Sequence, residues 1–221
     1  MKNVIKFFSE IGKLRFLKRK WDLRGVSKEE AESSADHAFR VSLLAWFMAS
    51  KENLDVEKVI KMSLIHDLCN VYVGEITPYD KLLTGDPEKD KLILRGLPRY
   101  SKEQKEEMIK ERREKEEAAF DKLLALVPDH SFANEIKELW LDYEFVRTRE
   151  ARFVRQIDRI EPLMQAIEYK KEGKIEDIQV YWYQAKEWID FKSLLQLVEA
   201  LDNFTYGNSK KHKQDSALVS R

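Results

Sequence analysis

The sequence predicts an all-α protein with a single domain. Three observations carry this. Glycine and proline are scarce, 7 and 5 in 221 residues. Strict alternation of apolar and polar residues, the mark of a half-buried strand, is rare. Most segments instead repeat apolar residues every three to four positions, which places them on one face of a helix. The length suffices for one domain with a sizeable core. That domain is expected over residues 1–202, with 203–221 as a flexible C-terminal tail.

Helices are expected near 3–19, 34–51, 55–73, 101–127, 131–147, 150–171 and 181–202. The first lies in MKNVIKFFSEIGKLRFLKRKW and is basic and amphipathic. Lys6, Glu10 and Lys13 interrupt its apolar part, so it fails as a signal peptide. It is read as packing on the domain, with a membrane-surface helix as the alternative. The second helix starts at Ser33, with Asp36 three residues on as a capping-box partner. Asp55 is the expected cap of the third. Gly74 ends that helix, and Thr77-Pro78 continues as a loop. The segment SKEQKEEMIKERREKEEAAF is dense in both signs of charge and reads as a solvated helix face. Pro162 falls inside the sixth pattern, so a kink or boundary is expected near Glu161. After about Asn203 the periodicity is lost and the tail is expected to fray.

Composition excludes some classes of function. Apolar residues make up 43% and charged residues 36%, as in a soluble protein with a charged surface. Lys plus Arg and Asp plus Glu number 40 each, so the formal net charge is zero. No basic excess supports nucleic-acid binding. No apolar run approaches the roughly 20 residues that a membrane span needs. Cys69 is the one cysteine, so no intrachain disulfide can form and a cytoplasmic setting fits.

The four histidines are His37, His66, His130 and His212. His130 follows Pro128-Asp129 in a turn-like stretch and His212 lies in the polar tail, so both read as surface residues. His37 and His66 lie in apolar helical runs, where a lone histidine is more often a satisfied core residue than a ligand. Asp67 changes that weighing, because a buried aspartate is costly unless paired or bound to a cation. Neighbours on a helix point about 100° apart. His66 and Asp67 therefore cannot both face one core, but both can converge on an ion beside the helix. One more histidine and one more carboxylate would complete a mixed nitrogen–oxygen shell. His37 supplies the first. For the second, Asp158 borders the apolar stripe Phe153, Ile157, Ile160, Met164. Spacing alone leaves Asp158 open between a ligand and a surface charge paired with Arg155 or Arg159.

The pattern H…HD…D resembles the metal-binding signature of the HD-domain superfamily of phosphohydrolases. ESSADHAFRV resembles its first-histidine helix. HDLCNVYVGEITP resembles an HDxxExxxGDxxxP segment, and ELWLDYE with ARFVRQIDRIEPLMQAIEY resembles the closing helices. Together they are similar to the YfbR-like, HD-domain-containing 5′-deoxynucleotidase group over roughly residues 12–172. The resemblance implies a compact HD-domain helical bundle. It implies one divalent cation on His37, His66, Asp67 and Asp158, commonly cobalt, manganese or another transition metal, with magnesium possible. Members remove phosphate from deoxynucleoside 5′-monophosphates and are often dimeric, which makes a homodimer possible. Arg19 and Trp21 fall where the family has an arginine and a tryptophan near the nucleotide, so they are the substrate-binding candidates. Small-molecule nucleotide is the expected partner, and neither nucleic acid nor membrane is.

Two positions depart from the pattern. Asn70 stands where the family has glutamate, and Glu75 where it has aspartate. Asparagine can orient water or substrate but cannot act as a general base. Glu75 is then the candidate base or leaving-group acid. The leading expectation is metal-assisted hydrolysis of a phosphomonoester. One alternative is a metal- and nucleotide-binding protein of weak turnover, because of Asn70. Another is an HD phosphohydrolase acting on a different phosphoester, with substrate choice in loops such as 74–100. In a purely structural reading, the HD pair is a buried salt bridge, for which the flanking helix offers little beyond Lys61.

Overall fold

Ser33 and Asp36 form the expected capping box: the Ser33 hydroxyl accepts from the Asp36 N–H at 3.2 Å, and Asp36 accepts from the Ser33 N–H at 2.8 Å. This fixes the start of a helix whose inner face carries Val41, Ala45, Met48 and Ala49. The computed structural model describes residues 1–207. Its helices are α1 (Lys2–Ile11), α2 (Ser34–Ala49), α3 (Val56–Ile65), α4 (Asn70–Val73), α5 (Pro87–Arg95), α6 (Lys102–Leu124), α7 (His130–Phe145), α8 (Arg149–Lys171), α9 (Gln179–Trp188) and α10 (Lys192–Tyr206). Short 3₁₀ turns add Gly12–Arg15 and Lys20–Arg24. Among the described residues no strand forms; a lone bridge joins Lys18 to Ser33. No described helix is long and apolar enough to cross a membrane.

α8 is the central helix. It starts where Thr148 accepts from the Ala151 N–H at 3.3 Å. Phe153, Val154, Ile157, Ile160 and Leu163 on it are fully buried, each contributing roughly 1.5–3 kcal/mol relative to exposure. α2, α3, α7, α9 and α10 pack around it. A second apolar cluster lies under α6 and α7, where Phe120 stacks on Trp140 at 4.8 Å. Phe7 of α1 and Leu14 join this cluster, so the N-terminal helix does pack on the domain.

The expected helix ends needed correction in several places. The helix expected over 3–19 stops at Ile11. Residues 17–19 instead pair with 32–34, through Arg19 N–H to the Glu32 carbonyl at 2.9 Å and Ser34 N–H to the Leu17 carbonyl at 2.8 Å. The helix expected over 55–73 breaks after Ile65. His66 Nδ1 lies 2.7 Å from the Ser63 carbonyl, taking the acceptor that the next helical turn would use. Tighter turns follow, and α4 ends at Gly74 with a positive φ of 74°. The helix expected over 181–202 is two helices, because Gln156 Oε1 accepts from the N–H groups of Asp190 and Phe191 at 3.0 and 3.3 Å. That buried side chain satisfies the extended backbone between α9 and α10. Pro162 makes no boundary: α8 runs through it, because packing on both sides outweighs the one lost backbone bond. α5 was not expected, although Asp86 caps it and Pro87 opens it, a legible start signal. Residues 203–206, expected to fray, belong to α10, which continues to Tyr206; residues 208–221, with His212, lie outside the described residues.

Candidate metal centre

α2 carries His37, the end of α3 delivers His66 and Asp67, and α8 brings Asp158 against them. His37 Nε2 lies 3.0 Å from Asp158 Oδ1 and 4.0 Å from Asp67 Oδ2. His66 Nε2 lies 3.5 Å from each of the same two carboxylate oxygens. Both imidazoles are buried.

Their far nitrogens settle the tautomers. A carbonyl can only accept, so His66 Nδ1 carries a proton toward Ser63. His37 Nδ1 lies 2.6 Å from Glu161 Oε2 and donates to it. In the neutral rings, both Nε2 atoms then present lone pairs toward two carboxylates. His66 Nε2 is buried without a hydrogen-bond partner. Lone pairs facing anions at this burial would cost several kcal/mol with no cation among them. The donor set, two imidazole nitrogens and two carboxylate oxygens, therefore fits one divalent cation. Protons answer the same demand in its place. Burial and Arg19 oppose the charged form of His37, but Asp158 and Glu161 outweigh them and lift it to about 9. Burial also opposes charge on His66, which Asp67 and Asp158 raise. Burial works against the Asp158 carboxylate too, yet its bonds to His37 and His66 hold it well below the usual range. Tyr143 donates its hydroxyl to the other Asp158 oxygen at 2.9 Å.

Asn70, Glu75 and Arg19 line the cavity that opens on this cluster. Arg19 lies 3.7 Å from Asp67, 3.6 Å from Glu75 and 3.6 Å from Glu32. Arg19 is thus the protein cation that faces Asp67, whereas Lys61 pairs with Glu57 and Glu135. Glu75 Oε2 is buried without a partner. Burial raises the proton affinity of Glu75, with Asp67 adding and Arg19 opposing.

The HD domain family matches residues 11–193 of the chain. The chain belongs to the HD-domain family. This HD-domain chain is similar to 5′-deoxynucleotidase HDDC2 of Xenopus laevis, with 29% identity across 90% of the chain and 86% of that protein. It is 32% identical to 5′-deoxynucleotidase HDDC2 of Dictyostelium discoideum, across 78% of the chain and 80% of that protein. A conserved hypothetical protein of Pyrococcus furiosus has the same fold, with a TM-score of 0.62 at 22% identity over 90% of this chain and 99% of that one. So does a protein of Magnetospirillum magnetotacticum described as a predicted metal-dependent phosphohydrolase, with a TM-score of 0.60 at 23% identity over 92% and 91%.

Within this HD domain, Trp21 sits deeper than its neighbour Arg19. Its indole is 4% exposed, stacks on Tyr181 and donates to Glu32 Oε1 at 2.9 Å. Trp21 lines the floor of a cleft beside Arg19 and Glu75. Cys69 is a buried free thiol beside Asn70. His130 is exposed at the start of α7.

Several residues of the site were not anticipated. The charged segment of α6 is not wholly a solvated face: Arg112 and Glu116 line the cavity, with Glu116 6% exposed. Arg112 donates to Glu116 at 2.7 Å and to Glu144 at 2.8 Å. The signal was present, because the stripe Ala119, Phe120, Leu123 extends back by helical spacing to Glu116 and Arg112. Glu161 was equally readable, one turn beyond Asp158 on the buried face of α8.

Proposed function

We propose that this chain is a metal-dependent 5′-deoxynucleotidase, releasing phosphate from deoxynucleoside 5′-monophosphates. The observation that carries the reading is the convergence of two buried Nε2 atoms on two carboxylates, beside Arg19 and Glu75. The relatives named above as 5′-deoxynucleotidases support the substrate class. His37, His66, Asp67 and Asp158 would hold the cation, which when bound supplies Lewis acidity toward phosphate and an acidified water.

The side chains divide the remaining tasks. Glu161 and Ser63 fix the tautomers, and Tyr143 orients Asp158. Arg19 offers a fixed positive charge to the phosphate dianion. Glu75 takes the proton of the attacking water, whose oxygen bonds to phosphorus as the P–O5′ bond breaks, and returns that proton to the leaving O5′. Asn70 orients water or substrate by hydrogen bonding. Trp21 holds Glu32, and through it the guanidinium of Arg19. A cytoplasmic setting and a homodimer belong to the same proposal. Exposed Phe39, Leu43, Trp46 and Phe47, at helical spacing along α2, support the second.

The test is phosphate release from a panel of nucleoside monophosphates with Mn²⁺ or Co²⁺. Wild type should release phosphate and Asp67→Ala should not. No release across the panel, with metal demonstrably bound, would favour the second reading, a nucleotide-binding protein of weak turnover. Asn70, neutral in the cavity, is the observation behind that reading.

A further inference from the structure

Two further spaces lie beside the catalytic cavity. Arg19 and Glu75 line it and also line the neighbouring cleft, which Gln184 of α9 borders. Gln184 and Pro78 in turn line a broad groove. The three spaces thus share walls in sequence, from Asp67 and Asp158, past Arg19 and Glu75, past Gln184, into the groove.

The groove differs chemically from the cavity. α9 presents Tyr183 and Trp188 to it, 44% and 53% exposed. Leu97 and Ile109 contribute further apolar surface from other elements. The Arg159 guanidinium lies over the Trp188 ring, 4.6 Å from its centroid. Arg159 directly follows Asp158 in α8, which ties the aromatic platform to the ligand cluster through one helix. Exposed aromatic faces bind flat π-systems by stacking, with little regard to their hydrogen-bond pattern.

Resting on the nucleotidase reading, we propose that Trp188 and Tyr183 form the platform for the nucleobase. The 5′-phosphate lies at the His37–Asp158 end, and the sugar bridges past Glu75 and Gln184. The walls that the groove shares with the phosphate end, through Gln184 and Pro78 and then Glu75 and Arg19, select a base as its occupant.

The test compares dAMP with 2-deoxyribose 5-phosphate, which lacks the base, in the Mn²⁺-loaded full chain. Trp188→Ala should raise KM for dAMP about tenfold or more. It should leave kcat within about twofold and leave KM for 2-deoxyribose 5-phosphate unchanged. Trp188→Phe should keep most of the dAMP affinity, and Tyr183→Ala should act in the same direction as Trp188→Ala. An unchanged KM for dAMP, or an equal rise for both substrates, overturns the platform. If wild type hydrolyses neither compound, the nucleotidase reading fails, and dAMP binding by calorimetry then decides the platform. Weaker binding to Trp188→Ala than to wild type upholds it; equal binding, or none to wild type, overturns it.

Discussion

His37 Nδ1 lies 2.6 Å from Glu161 Oε2, and both side chains are buried. The contact turns the opposite nitrogen, Nε2, toward Asp67 and Asp158. Arg40 Nε stands 3.1 Å from the other Glu161 oxygen and holds that carboxylate in place. Glu161→Gln should therefore weaken the cation site without removing a ligand. The expected loss in Mn²⁺ affinity is about 10- to 100-fold, read by calorimetry. Unaltered affinity would mean that Glu161 only packs.

The pH dependence follows from the same contacts. His37 is lifted from an ordinary value of 6.5 to about 9. A group whose folded proton affinity is raised stabilises the fold fully below its unfolded value and loses that contribution as pH rises through the folded one. Metal-free protein should therefore lose Tm between about pH 6.5 and about pH 9. Protons and cation compete for Nε2, so Mn²⁺ affinity should rise over the same interval. Melting curves with and without Mn²⁺ check both, and a metal-free Tm that is flat across the interval would count against the pairing.

Asn70 tests how complete the machinery is. If the lack of a carboxylate at position 70 limits turnover, Asn70→Glu should raise kcat by about tenfold or more. An unchanged kcat would leave Glu75 as a sufficient base. Phosphate release at saturating nucleotide distinguishes the two.

Arg19 stands between Asp67, Glu75 and Glu32. Its removal leaves three acids facing one another and takes the charge offered to phosphate. Arg19→Ala should raise KM for a deoxynucleoside monophosphate by about 10- to 100-fold, since charge-assisted bonds are worth about 1.5–3 kcal/mol. Arg19→Lys should recover part of this, because a point charge remains but the planar fork is gone. Equal KM values in all three proteins would remove Arg19 from substrate binding.

Much of the fold was legible, and the reasons are local. Ser33, Asp36 and Asp55 announce helix starts through their own side chains, and the structure uses them so. The apolar stripe of α8 is continuous, so its central burial could be read from spacing. The breaks were not legible, because side chains distant in sequence or in competition with the backbone make them. Gln156 ends α9 from 34 residues away. The imidazole of His66 ends α3 by taking the Ser63 carbonyl, so the HD pair sits at a helix end rather than inside a helix. For the site, His37, His66, Asp67 and Asp158 could be picked out because buried polar residues are conspicuous among apolar ones. Arg112 and Glu116 were hidden by the charges around them, which mask a face that turns inward.

Four side chains, His37, His66, Asp67 and Asp158, are proposed to hold one cation. Titration of Mn²⁺ into chelator-treated protein, wild type against Asp158→Ala, tests this most directly. Wild type should bind one ion tightly per chain, with Tm rising on binding, and Asp158→Ala should lose that site. No binding by wild type, or equal binding by the folded variant, would contradict it.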